Sequence, residues 1–229
     1  MNAPALAIAN ANGLPGTAGM VVFDSRGERC LLTNHHVVFG GGAGLGDPVW
    51  ALPTHSEGRE LSDFVCLGPT SSGQIGRVTV AGENIFVDCA LVELRDEDRF
   101  PSWLKESLAC LPVARCAPAE PGIPVTKHGA TTGLTRGLIV DVCYPDNPFI
   151  DGHWWTAPGQ ILIDSRQKQF NFSASGDSGS AVLDEQGRVV GLLWGTNANG
   201  QGISCPIEPV LASLGAALIP TSGHIARAE

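Results

Sequence analysis

Apolar residues along the chain fall into short runs: GMVVF, CLLTNHHVV, FVCLG, RVTVAG and CALVEL, then VTKHG, GLIVDVCY, QILID, SAVL, RVVGLLW and GISCPI. Gly, Pro, Asn or Asp stands between most of them. Runs this short, rich in Val, Ile and Leu and bounded by turn residues, predict β-strands. No amphipathic stretch of roughly 10–15 residues separates successive runs, so an antiparallel sandwich or barrel is expected rather than βαβ units. Two segments read as helical. FPSWLKESL (100–108) is a short connector, and EPVLASLGAAL (208–218) is a closing C-terminal helix.

The first set of strands ends near Leu94, and a polar, Pro-containing region, Arg95 to Gly122, precedes the second. The pattern therefore predicts a flexible arm over 1–15, a first β-half over 16–120 and a second over 121–229 that includes the helix. With 229 residues, 43% of them hydrophobic, the chain can bury one large all-β core or two small packed ones. Its 29 glycines and 16 prolines fit frequent tight turns.

Charge and cysteine content narrow the partners. A net charge of −9 argues against a nucleic-acid or anionic membrane surface. No run approaches the roughly 18 apolar residues of a bilayer span, and MNAPALAIANANGLPG lacks the basic and apolar regions of a leader. Seven cysteines, odd in number and without a CxxC pair, point to reduced thiols and a cytoplasmic setting.

Three segments carry candidate chemistry. In SASGDSGSAVL (173–183), Ser178 sits in a turn of small residues whose glycines let the N–H groups of Gly176 and Ser178 point at one spot, an oxyanion hole. A plain Gly/Ser hairpin turn has the same composition. The nucleophile elbow of α/β-hydrolases fits poorly, because strands rather than a helix follow the serine. In VDCALVEL, Asp88 enters an apolar strand where an unpaired carboxylate is costly, so it either finds a hydrogen-bonding partner or starts the strand at a turn. In TNHHVV, His35 and His36 are adjacent; on an extended chain they face opposite sides and cannot act as one unit. No His, Cys or Glu cluster has zinc-ligand spacing, so no metal is expected. Taken together, the chain order His, Asp, Ser is one of the known orders of a catalytic triad, with His and Asp in the first half and Ser in the second.

These motifs resemble those of trypsin/chymotrypsin-type serine proteases over roughly residues 16–216. TNHHVV is similar to the T-N-x-H-V-V of bacterial members, which selects His36 as the base; DCALVEL resembles the Asp-bearing strand, and GDSGSAV the nucleophile loop. VTKHGATTGLTRG (125–137) resembles a segment of streptogrisin-like and α-lytic-like proteases, and heat-shock-protease-like members are also close in motifs. The resemblance implies two packed six-stranded antiparallel Greek-key β-barrels, a chymotrypsin-like fold, and a serine endopeptidase acting on protein or peptide substrates without a cofactor. It implies that His36, Asp88 and Ser178 are catalytic, that Gly176 and Ser178 form the oxyanion hole, and that Asp177, lacking a freed N-terminus to pair with, pairs with Lys127. It places Phe172 and Ser173 at the primary pocket, with Gly202 to Ser204 shaping the rest, and the strand Trp194–Gly195–Thr196 beside the substrate backbone. With Phe172 where an acidic residue would recognise Lys or Arg, a small or medium apolar residue is expected before the cleaved bond. Inside a cell such an enzyme is expected to be narrow in specificity or held by a regulatory protein partner. A binding module that keeps the groove without the chemistry, a pseudoprotease, is the alternative. Trp154 and Trp155, in the insertion PDNPFIDGHWWTAPG, are either a recognition surface or packing under a loop.

Overall fold

Leu6 and Ile8, near the start of the chain, are buried in the core of the first half. The structure is a computed structural model that describes residues 5–53, 64–112, 115–167 and 169–219. Its first half is a seven-stranded antiparallel sheet made of β1 (Ala7–Ala9), β2 (Pro15–Thr17), β3 (Met20–Phe23), β4 (Arg29–Thr33), β5 (Pro48–Leu52), β6 (Val65–Val80) and β7 (Glu83–Glu93), in the order β2-β1-β5-β6-β7-β4-β3. The two outermost strands, β2 and β3, are consecutive in the chain, so the sheet must curl until its edges meet. The Ala18 N–H donates to the Leu6 carbonyl at 2.9 Å, extending the β1–β2 ladder to the point where the chain passes into β3.

Residues 5–15 are therefore not a flexible arm, and the first half has seven strands where six were expected. Leu6 and Ile8 alternate with smaller residues in a stretch too short to stand out as a strand, and the segment gains order by pairing with β2 and β5. The runs FVCLG and RVTVAG belong to one strand, β6, whose glycines at 68 and 76 let it bend at positive φ without ending.

The second half comprises β8 (Pro124–Gly129), β9 (Gly133–Asp146), β12 (Ala157–Ser165), β13 (Ala181–Asp184), β14 (Val189–Thr196) and β15 (Gly202–Pro206), which close a six-stranded barrel in the order β12-β15-β14-β13-β8-β9. A small hairpin, β10 (Phe149–Ile150) with β11 (His153–Trp154), projects between β9 and β12. Helix α2 (Ser102–Ala109) lies on the connection between the halves, and helix α3 (Ile207–Leu214) follows β15 and ends at Gly215 in the left-handed region.

The continuous apolar reading of β7 has a physical cause. Val87, Cys89 and Leu91 face a cluster shared with Leu192, Trp194, Ile203 and α3, while Ala90 and Val92 face the core of the first half. A strand covered on both sides needs apolar residues at every position. Asp88 is the exception, and by the same alternation it shares the face of Ala90 and Val92. Replacing Ile8 with Ala is expected to lower unfolding free energy by about 2–5 kcal/mol. An unchanged denaturation midpoint would show that the N-terminal strand is dispensable.

Candidate active site

The strand β4 stops at Thr33, and the backbone turns at Asn34 into a four-residue helical turn, α1 (His35–Val38). Both histidines thus lie on a helical turn rather than at the end of a strand. Val37 and Val38 anchor the turn in the core, and the Asn34 side-chain amide donates to the Asp88 carbonyl at 2.6 Å. This sets His36 against Asp88. The carboxylate accepts the His36 backbone N–H at 3.1 Å and its Nδ1–H at 2.5 Å. Asp88 is wholly buried, while the His36 side chain is 23% exposed. With the proton held at Nδ1, Nε2 is the basic nitrogen.

Burial is the largest single influence on His36 and disfavours its charged form, but the Asp88 carboxylate, with Asp151 adding to it, outweighs this and raises the imidazole above its ordinary value. His35 goes the other way, because burial lowers it. Its ring stacks on Phe39 at 4.6 Å, and Nδ1 has no partner among the described residues. Only the missing side chain of Gly73 leaves room for this stack. His35 is a packing residue.

Ser178 sits in the loop before β13. Its Oγ donates to the Trp194 carbonyl at 3.2 Å rather than to His36. The loop is docked on the histidine-bearing segment: the Thr17 N–H donates to the Ser178 carbonyl at 2.8 Å, and Thr33 Oγ1 donates to the Thr17 carbonyl at 2.9 Å. Gly179 has no room for a side chain between Thr17 and Thr33. Gly176 adopts φ +94°, a conformation suited to glycine. Neither the Gly176 nor the Ser178 N–H has an acceptor among the described residues.

Asp177 is wholly buried and accepts five hydrogen bonds. Lys127 Nζ lies 2.8 Å from Oδ2 and also contacts the Thr132 hydroxyl, which donates to the same oxygen at 2.6 Å. The N–H groups of Thr131 and Thr132 reach Oδ1 at 2.9 and 3.0 Å, and that of Ala174 reaches Oδ2 at 3.0 Å. Burial alone would raise this carboxyl, yet the Lys127 and Thr132 contacts hold it below its ordinary value. On Lys127, burial wins over the pair's attraction and lowers the ammonium. The five donors converging on Asp177 favour its ionised form, and a neutral amine beside it would leave that charge unbalanced; the ion pair is the consistent reading.

The positions expected at the primary pocket divide. Phe172 is fully buried in the core of the second barrel, packed against Gly137 and Gly202, and its ring lies 5.9 Å from Lys127 Nζ. It presents no surface to a ligand. Ser173 is also buried, with its hydroxyl 2.5 Å from that of Thr196. Gly195 is half-buried and Thr196 exposed. Beyond Leu193 the side of β14 that faces β13 has no backbone partner among the described residues, and the Trp194 and Gly195 carbonyls accept the Ser178 and Ser173 hydroxyls instead. Sequence reasoning missed Gln160, which is buried and accepts the Trp194 indole N–H at 2.7 Å while donating to the Phe86 carbonyl at 2.9 Å. A polar residue between the apolar runs of β12 was the signal. Trp155 is packed against Phe86 and over Gly76, whereas Trp154 is 70% exposed beside Phe149. Among the described residues no group of three or more His, Cys, Asp or Glu is placed to hold a metal.

The profile of the trypsin-like peptidase domain matches residues 16–192. The chain belongs to the trypsin-like peptidase family. Among curated proteins, none matches it in sequence. Solved structures share the fold at low identity. Thermobifida fusca Protease A is 18% identical with a TM-score of 0.60, covering 96% of this chain and 98% of its own. A glutamic-acid-specific serine protease is 18% identical at 0.59, covering 93% and 97%. Cellulomonas bogoriensis chymotrypsin is 18% identical at 0.55, covering 96% and 98%. This peptidase domain is all-β, with a closed six-stranded barrel and a short C-terminal helix.

Changing Lys127 to Met leaves the Asp177 carboxylate buried without its cation, and unfolding free energy is expected to drop by about 3–5 kcal/mol. Because the folded carboxyl is held low, its stabilisation is present above the ordinary carboxylate value of about 4 and fades as pH falls through the folded one. Denaturation curves collected from neutral to acid pH check both points.

Proposed function

We propose that this trypsin-like peptidase is a serine endopeptidase that uses Ser178 as nucleophile, His36 as general base and Asp88 as the group orienting it. The observation that carries the reading is the buried Asp88 carboxylate, which grips both the backbone and the ring of His36 and leaves Nε2 basic. The Ser178 hydroxyl turns from the Trp194 carbonyl to His36, whose Nε2 takes its proton as Oγ attacks the scissile carbonyl. The N–H groups of Gly176 and Ser178 receive the oxyanion. His36 then passes the proton to the leaving amine, and an acyl-enzyme remains on Ser178. Water, activated again at Nε2, releases the acid.

The substrate adds as a strand along Trp194 to Thr196. The Ser173 and Thr196 hydroxyls bond to each other, so one of the two protons is already spent inside the protein and only one hydroxyl is left to donate to a ligand. A small or medium apolar residue before the cleaved bond remains the expected preference. All seven cysteines are free thiols, which supports a reducing, cytoplasmic setting in which narrow specificity or a regulatory protein partner restrains the enzyme. The bond from Ser178 Oγ to the Trp194 carbonyl favours one second reading, a pseudoprotease that uses the groove for binding alone.

A fluorophosphonate probe separates the two. Covalent labelling is expected for the wild type and for His35→Ala, and is expected to vanish in Ser178→Ala and fall at least about a hundredfold in His36→Ala. An unlabelled wild type would favour the binding module. The labelling rate is expected to fall on acidification as His36 takes up a proton, with its midpoint above the ordinary histidine value of 6.5. A midpoint below 6.5 would mean that Asp88 does not dominate the base.

A further inference from the structure

The two free N–H groups beside Ser178 owe their direction to the carbonyls on the other side of their peptide units. In a trans peptide the N–H and the C=O point in opposite directions. For the Asp177–Ser178 unit, the Asp177 carbonyl accepts both the Ser180 N–H at 3.0 Å and the Ser180 hydroxyl at 2.6 Å. That unit is held twice. For the Ser175–Gly176 unit, the Ser175 carbonyl accepts a single hydrogen bond among the described residues, from Thr131 Oγ1 at 2.7 Å. That bond draws the carbonyl toward the turn between β8 and β9, and the Gly176 N–H consequently points away from that turn.

Among the described residues no other hydrogen bond secures this unit against rotation. Gly176 has no side chain, and its φ of +94° lies where glycine moves at little steric cost. A side chain at 176 would in any case collide with the Thr131 hydroxyl. The next unit is anchored separately, with the Gly176 carbonyl accepting from Thr17 Oγ1 at 2.8 Å and the Asp177 N–H reaching the Ala174 carbonyl at 3.0 Å. Flanked by fixed units, the Ser175–Gly176 peptide takes its orientation, among the described residues, from a single side chain. Thr131 is in turn placed by Asp177, which accepts its backbone N–H at 2.9 Å.

We propose that Thr131 is a positioning residue whose hydroxyl, through the Ser175 carbonyl, sets the Gly176 N–H as an oxyanion donor. The assignment rests on the reading of Ser178 as nucleophile. It links the buried Lys127–Asp177 pair to the chemistry by a short path, from carboxylate to Thr131 backbone, from Thr131 hydroxyl to Ser175 carbonyl, and from that peptide to the oxyanion.

Thr131→Val removes the hydroxyl at an exposed position and keeps the shape; Thr131→Ser keeps the hydroxyl. With the fluorophosphonate probe, the valine variant is expected to lose about 10- to 100-fold in the maximal labelling rate, with the half-saturating probe concentration nearly unchanged, and the serine variant to recover most of it. A loss shared equally by both variants, or a valine variant within twofold of wild type, overturns the proposal and leaves Ser178 as nucleophile intact. A crystal structure of Thr131→Val reads the peptide directly. A rotated Ser175 carbonyl upholds the positioning role even if wild-type protein fails to label, in which case only the nucleophile reading falls; an unrotated carbonyl sinks the proposal.

Discussion

A buried carboxylate at Asp177 organises the second barrel's contribution to the site. A charged group with no exposure is stable only if every lone pair is answered, and here an ammonium, a hydroxyl and three backbone amides answer them. Meeting that demand draws the Ala130–Gly133 turn and the Ala174–Ser178 loop onto one point. The Ser178 loop is therefore shaped by what it must solvate. Gly129 is a consequence, since a side chain there would occupy the space of the Asp177 carboxyl.

The first barrel enters through polar contacts that are few but buried. Thr17 ends β2 and bonds to the Gly176 and Ser178 carbonyls, and Thr33 ends β4 and holds Thr17. Because β2 is reached only by the curl of the N-terminal segment, the packing of Leu6 and Ile8 bears on a loop far along the chain. Gln160 makes a second bridge, from Trp194 in the second barrel to Phe86 in the first. Edge-on contact of Phe86 with the Trp194 ring at 5.6 Å, and a tilted contact of Phe86 with Trp155 at 6.1 Å, continue this bridge as apolar packing. The hairpin that carries Asp151 is attached to the same aromatic row through Trp155, which explains how an inserted loop comes to influence the charge of His36.

The strand rhythm, the two β-halves and the closing helix were legible in the sequence because period, turn residues and length are local properties. The three candidate chemical segments were legible because Gly-Asp-Ser-Gly, a lone carboxylate in an apolar strand and a histidine before Val-Val are unusual locally. What escaped was non-local. Ala7–Ala9 reads as an arm until β5 pairs with it. His35 and His36 read as strand residues until Asn34 is drawn to the Asp88 carbonyl and the chain turns. Phe172 reads as a pocket position by its distance from Ser178, yet the space left by Gly137 and Gly202 takes its ring into the core.

The sequence by itself determined the fold class, the family and the short list of groups able to do chemistry, since each of these depends on residue type and spacing along the chain. Only the tertiary structure decided which histidine meets a carboxylate, where Ser178 directs its hydroxyl, and which threonines hold the carbonyls around Gly176. Those outcomes depend on hydrogen bonds between residues far apart in sequence, whose directions exist only once the two barrels have closed on each other.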